Sequence, residues 1–533
     1  MSKFKSHIII IALPFILLVT CLILRPILGG HDKAVNSLSE ESFELALLDR
    51  TTKKEEPLFN VSKLAYKDID IKGENDYSIR IRGRYMGVKT ATIRIGDDGG
   101  VIATYLVDLA SDGLRHINVP DLASGSYRFS ICFEDNYEKH LLPRIYINTA
   151  DSVPIVSKDN YEAGTFSIDY PDGSPFNNLT DEKMQIRGRG NSTWQWDKKP
   201  YKIKFDSETS LFGLERAKDW VLLANYGDKS LIRNHLALNL GQLLDNMVFV
   251  PHSFLVDVYK NGEYQGVYSL SEQIEAKRGR VETAKSYNRA DTGYLLEAGG
   301  TAEGHVKNVD YFHSTLVQYV RIKSPDTDLM QKYQVDYIRQ YLIDAEDAII
   351  NLDKYEDYID VPSLIDWFIL NELSYNIDCT FRRSFYMVKN ERDKLYVCSP
   401  WDFDLAFGNF WRDPGTYSGW VSIVNEATEG YIKTNWMNYL LEDKNFTDQL
   451  KKRWEQVGPS LRQEAMRIIN SSVDEMYPSQ VENFKLWRIM GKRSGYEPKE
   501  NVSIDSFDKH ITYLTDYIEN RYEWMDEAIR DFD

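Results

Sequence analysis

An uncharged apolar segment near the N-terminus divides this chain of 533 residues into two very unequal parts. Residues 8–24 carry no charged side chain, and thirteen of them are Ile, Leu, Val or Phe. At ~0.4 kcal/mol per apolar residue, membrane insertion of this segment is favoured by roughly 5 kcal/mol. Basic residues precede it, so we predict a single-pass transmembrane anchor within residues 1–30, with its tip in the cytoplasm and the main domains outside. Because the segment is short for a span and contains Pro14, a cleaved signal peptide is the main alternative.

The overall composition is that of a folded, acidic protein. Hydrophobic residues make up 43% and charged residues 27% of the sequence, which excludes wholesale disorder. The formal net charge of −17 argues against a nucleic-acid partner, because neutralising a phosphate backbone requires a basic surface. With only four cysteines, the chain is neither a disulfide scaffold nor a protein built around cysteine-bound zinc.

Alternating apolar and polar residues predict a small β module ahead of the main domain. The alternation runs through residues 77–149, where Gly- and Asp-rich turns separate about six short strands, as in a β-sandwich. We place this module at 61–150. Residues 31–60 are polar and predict a linker, with a solvated helix as the alternative. The module shows no catalytic constellation, so we expect a spacer or a binding module, carbohydrate being one possible ligand.

The main domain is expected at 151–457, and a helical extension at 458–533 is expected to pack on it. Its first motif, residues 184–194, combines two glycines with basic and small polar side chains. The glycines permit close approach of the backbone to a ligand, and the arginines supply charge, so the motif predicts a loop that holds phosphate. The candidate ligands are Arg187, Arg189, Asn191 and Ser192. A glycine-rich turn with two solvated arginines is the alternative.

A strand that follows this loop carries two lysines on one face. Tyr201, Ile203 and Phe205 alternate as its core side, which leaves Lys202 and Lys204 on the other side. A lysine on a strand beside a glycine-rich loop holds nucleotide phosphates in protein kinases. A solvent-facing pair on an amphipathic strand is the alternative, and Lys204 is the lysine that we favour for phosphate.

Three aspartates are predicted to converge later in the chain. Asp378 and Asp402 flank a predicted hairpin, which brings its two ends together. Asp402 and Asp404 would project to one side of an extended segment, and the three carboxylates could then bind a hard cation such as Mg²⁺. An acidic turn with capping aspartates is the alternative.

Four motifs in order resemble the spore coat protein H (CotH) kinase family. They are Arg-Gly-Arg-Gly-Asn-Ser-Thr-Trp at 187–194, Lys-Lys-Pro-Tyr at 198–201, Leu-Ala-Asn-Tyr at 223–226 and Trp-Asp-Phe-Asp at 401–404. The resemblance covers about 151–457. It implies an atypical protein kinase fold, ATP with Mg²⁺ or Mn²⁺, and phosphorylation of Ser and Thr hydroxyls in coat or cell-surface proteins.

The resemblance also implies a role for each aspartate. Asp378 would be the catalytic aspartate, Asp402 the metal ligand and Asp404 a neighbouring carboxylate. The chain departs from ordinary kinases in having Arg383, not Asn, five residues after Asp378. The predicted helix 229–244 has no Glu to pair with the strand lysine, so Glu272 or Glu297 would have to take that place.

These observations predict an α+β protein. It would contain a two-lobed domain like that of an atypical protein kinase, preceded by a small β-sandwich and an N-terminal transmembrane helix. The expected function is protein phosphorylation at the cell membrane, with the spore coat or envelope as possible sites. A catalytically inactive scaffold and a carbohydrate-binding surface protein are the alternatives.

Overall fold

The structure is a computed structural model. It describes residues 44–59, 67–72, 76–82, 90–97, 100–108, 114–119, 122–134, 141–171, 174–299, 306–317, 319–411, 417–424, 428 and 433–532. The transmembrane anchor predicted within residues 1–30 lies outside these ranges. Across the ranges themselves, no helix combines the length and the apolar character needed to cross a bilayer. The chain divides into two compact units between residues 137 and 138.

The described part of the first unit is built from antiparallel strands. They are β1 Glu44–Asp49, β2 Glu55–Phe59, β3 Lys67–Ile71, β4 Tyr77–Arg82, β5 Thr90–Asp97, β6 Gly100–Asp108, β7 Leu114–Asn118 and β8 Gly125–Glu134. One sheet has the order β2–β1–β4–β7 and the other the order β3–β8–β5–β6. Both sheets contribute to a single core, which contains Leu47, Ile79 and Ile81 from the first and Ile93, Ile95 and Phe129 from the second. This packing is that of a β-sandwich.

The first unit differs from the predicted module at its N-terminal side. Residues 44–59, which we predicted to be linker, form β1 and β2 instead. Leu47 and Leu58 are buried in the sandwich, whereas residues 51–54 form the exposed turn between the strands. The charged residues of the turn dominate the local composition of the sequence. They obscure the buried apolar positions of the two strands, Leu47 in β1 and Leu58 in β2.

The second unit begins with a closed seven-stranded barrel. Its strands are β9 Arg144–Thr149, β10 Glu162–Asp169, β11 Leu179–Gly188, β12 Tyr201–Thr209, β13 Ala217–Leu223, β14 Ser253–Lys260 and β15 Glu263–Glu272. They are arranged in the order β10–β11–β12–β13–β15–β14–β9. The strand around Ile145 and Ile147 was predicted in the preceding module. As β9, it pairs with β10 and β14 of the barrel, because both isoleucines fit the barrel core.

Strand alternation determines which side chains fill the barrel and which leave it. Tyr201, Ile203 and Phe205 point into the core, as their spacing predicts. On the outer face of β13 and β15, Val221 and Val267 belong to the larger core that the barrel shares with the helices. The tight β14–β15 hairpin turns at Asn261 and Gly262, whose φ values of 50° and 82° are the left-handed conformations that a two-residue hairpin turn of this sequence requires.

A second sheet and the helices complete the second unit. The sheet has the order β17–β18–β16–β19–β20, with β16 Tyr294–Ala298, β17 Tyr311–Phe312, β18 Val320–Ser324, β19 Phe385–Lys389 and β20 Leu395–Ser399. The helices are α1 Arg233–Gly241, α2 Lys332–Asn351, α3 Val361–Leu373, α4 Met437–Leu440, α5 Lys444–Leu486, α6 Lys499–Ser503 and α7 Phe507–Arg530. The protein is therefore a mixed α+β structure, and the barrel and the helical part share the larger core.

Candidate functional site

Two carboxyl groups lie side by side just after β20. Asp402 adopts a left-handed backbone conformation, with φ of 70°, so the segment turns here instead of continuing extended as we predicted. The turn nevertheless leaves the Asp402 and Asp404 carboxyl groups hydrogen-bonded to each other. Burial is the largest cause that raises the pKa of both groups, and the charge of Asp378 raises both further. The shared hydrogen bond lowers the pKa of Asp402, whereas the hydrogen bond and the charge of Asp402 add to the shift of Asp404, whose pKa is well above its ordinary value.

The backbone of this turn is held by amide side chains from two helical regions. The Asn234 side chain on α1 accepts a hydrogen bond from the Phe403 amide, 2.8 Å. The Asn376 side chain, shortly after α3, donates to the carbonyl oxygen of Asp402, 3.0 Å. Because both sides of the turn are fixed, the carboxyl groups have a defined direction.

A fully buried ion pair supports the next turn of the same segment. Arg233 Nη1 lies 2.5 Å from Asp228 Oδ1, and neither side chain is exposed. The same guanidinium donates to the carbonyl oxygens of Ala406 and Phe407. Asp228 also accepts the Arg233 amide, but it is not the N-cap residue: α1 begins only at Arg233, with Ile232 at its N-cap, and is shorter than the predicted helix 229–244. No pattern in the sequence predicted that Arg233 supports this site.

Asp378 lies in the loop that follows α3 and faces the carboxyl pair. Its charge contributes to the raised pKa of both Asp402 and Asp404. Arg383 donates to Asp378 across this loop, with Nη1 3.3 Å from Oδ1. Ser384, the next residue, donates to Asp402 Oδ2 at 3.4 Å. The structure thus brings the three predicted aspartates together.

Arg189 is the basic residue that the barrel contributes to this cluster. Its guanidinium lies over the ring of Trp401, 5.5 Å from the centroid. Burial lowers the pKa of Arg189, while the charges of Asp402, Asp404 and other acidic groups oppose that shift. Conversely, Arg189 lowers the pKa of Asp402. The arginine and the carboxylates therefore form one electrostatic unit.

The other residues of the predicted phosphate loop have different surroundings. Arg187 stays on β11, where it donates to the carbonyl oxygen of Lys158 and lies over the ring of Tyr161. Because β11 ends at Gly188, only Arg187 lies on the strand, and Arg189 follows in the loop. Asn191 and Ser192 are exposed at a short 3₁₀ turn.

The two lysines of β12 differ in their contacts. Lys202 forms an ion pair with the buried Asp219, 3.0 Å, while Lys204 is exposed. Asp219 also binds Lys277, 2.9 Å. The residue we favoured, Lys204, has the more solvated position, and Lys202 is the one with a fixed acidic partner.

The two glutamates proposed as partners for a strand lysine bind other groups. Glu272 accepts hydrogen bonds from Arg280 and His252, 2.5 and 2.8 Å, so it does not pair with Lys202 or Lys204. Glu297 accepts from the Tyr386 hydroxyl, 2.8 Å, and pairs with Lys323. Glu297 also contributes to the electrostatic surroundings of Arg189. Tyr386, which the sequence did not single out, therefore lies beside the site.

Comparison with known families matches the CotH kinase protein family over residues 186–525. The match covers more than half of the chain and contains the aspartates and arginines described above. The chain belongs to the CotH kinase protein family. A comparison with curated proteins gave no match. The family match ends within α7, at residue 525, so the CotH region includes most of the helical segment that we predicted as an extension.

Two acidic residues of this CotH region, Asp402 and Asp404, offer a cation a pair of neighbouring carboxyl groups. Within the described ranges, no group of three or more His, Cys, Asp or Glu side chains is arranged to hold a metal ion. The hydrogen-bonded Asp402 and Asp404 pair is nevertheless suitable for Mg²⁺, which is commonly held by one or two carboxylates together with substrate phosphates and water. Bound cation would also relieve the repulsion that raises their pKa values.

Two buried cysteines flank this part of the CotH region. Cys379 and Cys398 are both free thiols. Burial raises the pKa of each thiol. The charges of Asp402 and Asp378 raise that of Cys379 further. Neither thiol has the low pKa of a nucleophile.

Proposed function

We propose that this CotH-family protein is an atypical protein kinase that uses ATP with Mg²⁺ or Mn²⁺ to phosphorylate Ser or Thr hydroxyls of proteins. The observation that supports this most is the position of Arg189, from the barrel side, over the ring of Trp401 and within electrostatic range of Asp402 and Asp404. In a two-lobed kinase the nucleotide lies between such parts, with cations holding phosphates and carboxylates holding metal.

Each group has a distinct task in this proposal. Asp402 and Asp404 would hold one Mg²⁺ or Mn²⁺, which neutralises phosphate charge when bound. Arg189 would bind phosphate oxygens, because a guanidinium presents several N–H donors in a fixed plane. Asp378 would orient the acceptor hydroxyl and receive its proton as the oxygen–phosphorus bond forms and ADP leaves.

Lys202 is the strand lysine that we now assign to the phosphates. Protein kinases hold this lysine in an ion pair with a glutamate of a helix. Here the buried Asp219 supplies the carboxylate, and Glu272 is engaged by Arg280. The exposed Lys204 has no comparable support.

The acceptor proteins are proposed to be coat or cell-surface proteins, as the family resemblance implies. We further propose that the protein is anchored in the cell membrane by its N-terminal segment, with the catalytic unit outside the cytoplasm. Protease treatment of intact cells and of lysed cells tests this placement. Degradation of residues 138–533 in intact cells is expected, and protection until lysis would contradict it.

Transfer of label from γ-³²P-ATP tests the activity itself. We expect the purified protein to label itself or dephosphorylated casein in the presence of Mg²⁺ or Mn²⁺, with phosphoserine or phosphothreonine as the product. Asp378→Asn should lose transfer, and Asp206→Asn, a change at an exposed carboxylate, should retain it. No labelling by the wild-type protein together with no ATP binding would contradict the proposed activity.

A catalytically inactive envelope scaffold is the second candidate function. The observation that favours it is Arg383, which occupies the position where protein kinases carry a metal-binding Asn. A scaffold would keep its fold and partner binding without phosphoryl transfer. Nucleotide binding that depends on a divalent cation distinguishes the two, because a scaffold does not require it.

A further inference from the structure

Arg383 has a specific place beside the proposed catalytic aspartate. Its Nη1 atom lies 3.3 Å from Asp378 Oδ1, and about half of its side chain is exposed. It is five residues after Asp378, where protein kinases have the Asn that binds a second Mg²⁺. A guanidinium carries positive charge and no acceptor atom, so it cannot ligate a metal ion.

The loop that carries Arg383 is tightly constrained. The Arg383 amide donates to the carbonyl oxygen of Thr380, 3.0 Å, and the Cys379 thiol donates to the carbonyl oxygen of Ser384, 3.2 Å. Gly299, with φ of 100°, lies against the loop, and a Cβ there would be 2.5 Å from both the Arg382 carbonyl oxygen and the Arg383 Cα atom. The backbone position of Arg383 is therefore fixed by the fold.

The carboxylates of the site suit one cation better than two. Asp402 and Asp404 are hydrogen-bonded to each other and offer a single pair of ligands. Asp378, the remaining aspartate, is engaged by Arg383. A triphosphate with one divalent ion keeps substantial negative charge, which a nearby guanidinium can bind.

We propose that Arg383 supplies the positive charge that a second metal ion supplies in other protein kinases, so that this site binds nucleotide with one divalent cation. The inference rests on the proposed kinase function and adds to it the number of metal ions and a phosphate-binding residue. Arg383 would contact the nucleotide phosphates from the Asp378 side of the site, whereas Arg189 would contact them from the barrel side.

Counting Mn²⁺ in the presence of a non-hydrolysable ATP analogue tests this inference without any turnover. Electron paramagnetic resonance gives the bound Mn²⁺ per protein, and isothermal titration calorimetry gives the affinity for the analogue. The wild-type protein is expected to bind one Mn²⁺ with each analogue molecule. Arg383→Asn is expected to lose roughly tenfold or more in affinity at one equivalent of Mn²⁺, and to regain part of it at high Mn²⁺ as a second ion binds.

The control and the contrary outcomes are distinct. Arg278→Ala, at an arginine whose side chain is 86% exposed and pairs with Glu215, should keep the wild-type affinity and metal count. Two Mn²⁺ ions per bound analogue in the wild-type protein would overturn the inference and leave the kinase proposal standing. Arg383→Asn with unchanged affinity would also overturn it. No analogue binding by the wild-type protein would contradict the kinase proposal, and the inference with it.

Discussion

Asp402 and Asp404 hydrogen-bond each other through carboxyl groups that are both held in a turn after β20. Two carboxylates in contact repel when both are ionised, and burial adds to the cost of their charge. Keeping both groups ionised in the absence of a cation is therefore costly. Paired carboxyl groups of this kind are typical of functional sites, where the residue types serve ligand binding and not the stability of the fold.

Asp402→Asn is expected to abolish phosphoryl transfer and to leave the fold intact. Asn also tolerates the left-handed conformation of this residue, with φ of 70°, so the backbone of the turn should be kept. Because the substitution removes one of two repelling groups, we expect the free energy of unfolding to rise by about 1 kcal/mol at neutral pH. Chemical denaturation measures the stability change, and γ-³²P-ATP labelling measures the activity. Transfer at the wild-type rate would show that Asp402 is not the metal ligand.

Arg233→Met is expected to destabilise the second unit strongly. The substitution leaves the buried Asp228 without its positively charged partner and removes the guanidinium donors to the carbonyl oxygens of Ala406 and Phe407. Loss of one member of a buried pair costs about 3–5 kcal/mol. The thermal unfolding midpoint of Arg233→Met should therefore fall well below that of Arg278→Ala, the exposed control. Equal midpoints would mean that the buried pair does not support the turn.

The ion pair and the acidic turn illustrate what the sequence does and does not predict. The carboxylates could be recognised because they are close in sequence or flank a hairpin. Arg233 could not, since its partners at 406 and 407 come from a distant part of the chain. The left-handed backbone at Asp402 was also missed, because Asp-x-Asp spacing is equally compatible with an extended strand.

The basic residues show the same division between local and long-range information. The alternation in β12 correctly separates Tyr201, Ile203 and Phe205 from the lysines, since strand geometry alone decides it. The choice of Lys202 over Lys204 depends on Asp219 in the neighbouring strand. Arg187 and Arg189 look equivalent in the sequence. Because β11 ends at Gly188, Arg187 stays on the strand and only Arg189 interacts electrostatically with the carboxylates.

Acid is expected to destabilise the second unit through His510. Its pKa is lowered to about 4 by burial and by the nearby charges of Arg233 and Lys229. In the unfolded chain the histidine has a pKa of about 6.5. The stability that the neutral imidazole contributes is therefore complete above this pH and decreases as the pH falls towards 4. Between pH 7 and pH 5, the free energy of unfolding should fall by about 2 kcal/mol through this group.

His510→Gln should reduce this pH dependence. The substitution removes the group that binds a proton only after unfolding, so the unfolding free energies at pH 7 and pH 5 should move closer together by about 2 kcal/mol. Urea denaturation at both pH values measures the difference. A pH dependence identical to that of the wild-type protein would show that His510 titrates normally in the folded protein.

The central question is whether the nucleotide binds between the barrel and the acidic turn. Isothermal titration calorimetry tests this most directly, by measuring the affinity of Arg189→Met and Lys204→Met for a non-hydrolysable ATP analogue with Mg²⁺. Both substitutions remove one positive charge from neighbouring barrel segments, but only Arg189 interacts with the carboxylates. We predict a loss of roughly tenfold or more for Arg189→Met and a change below about twofold for Lys204→Met. Wild-type affinity in Arg189→Met would contradict the proposed site.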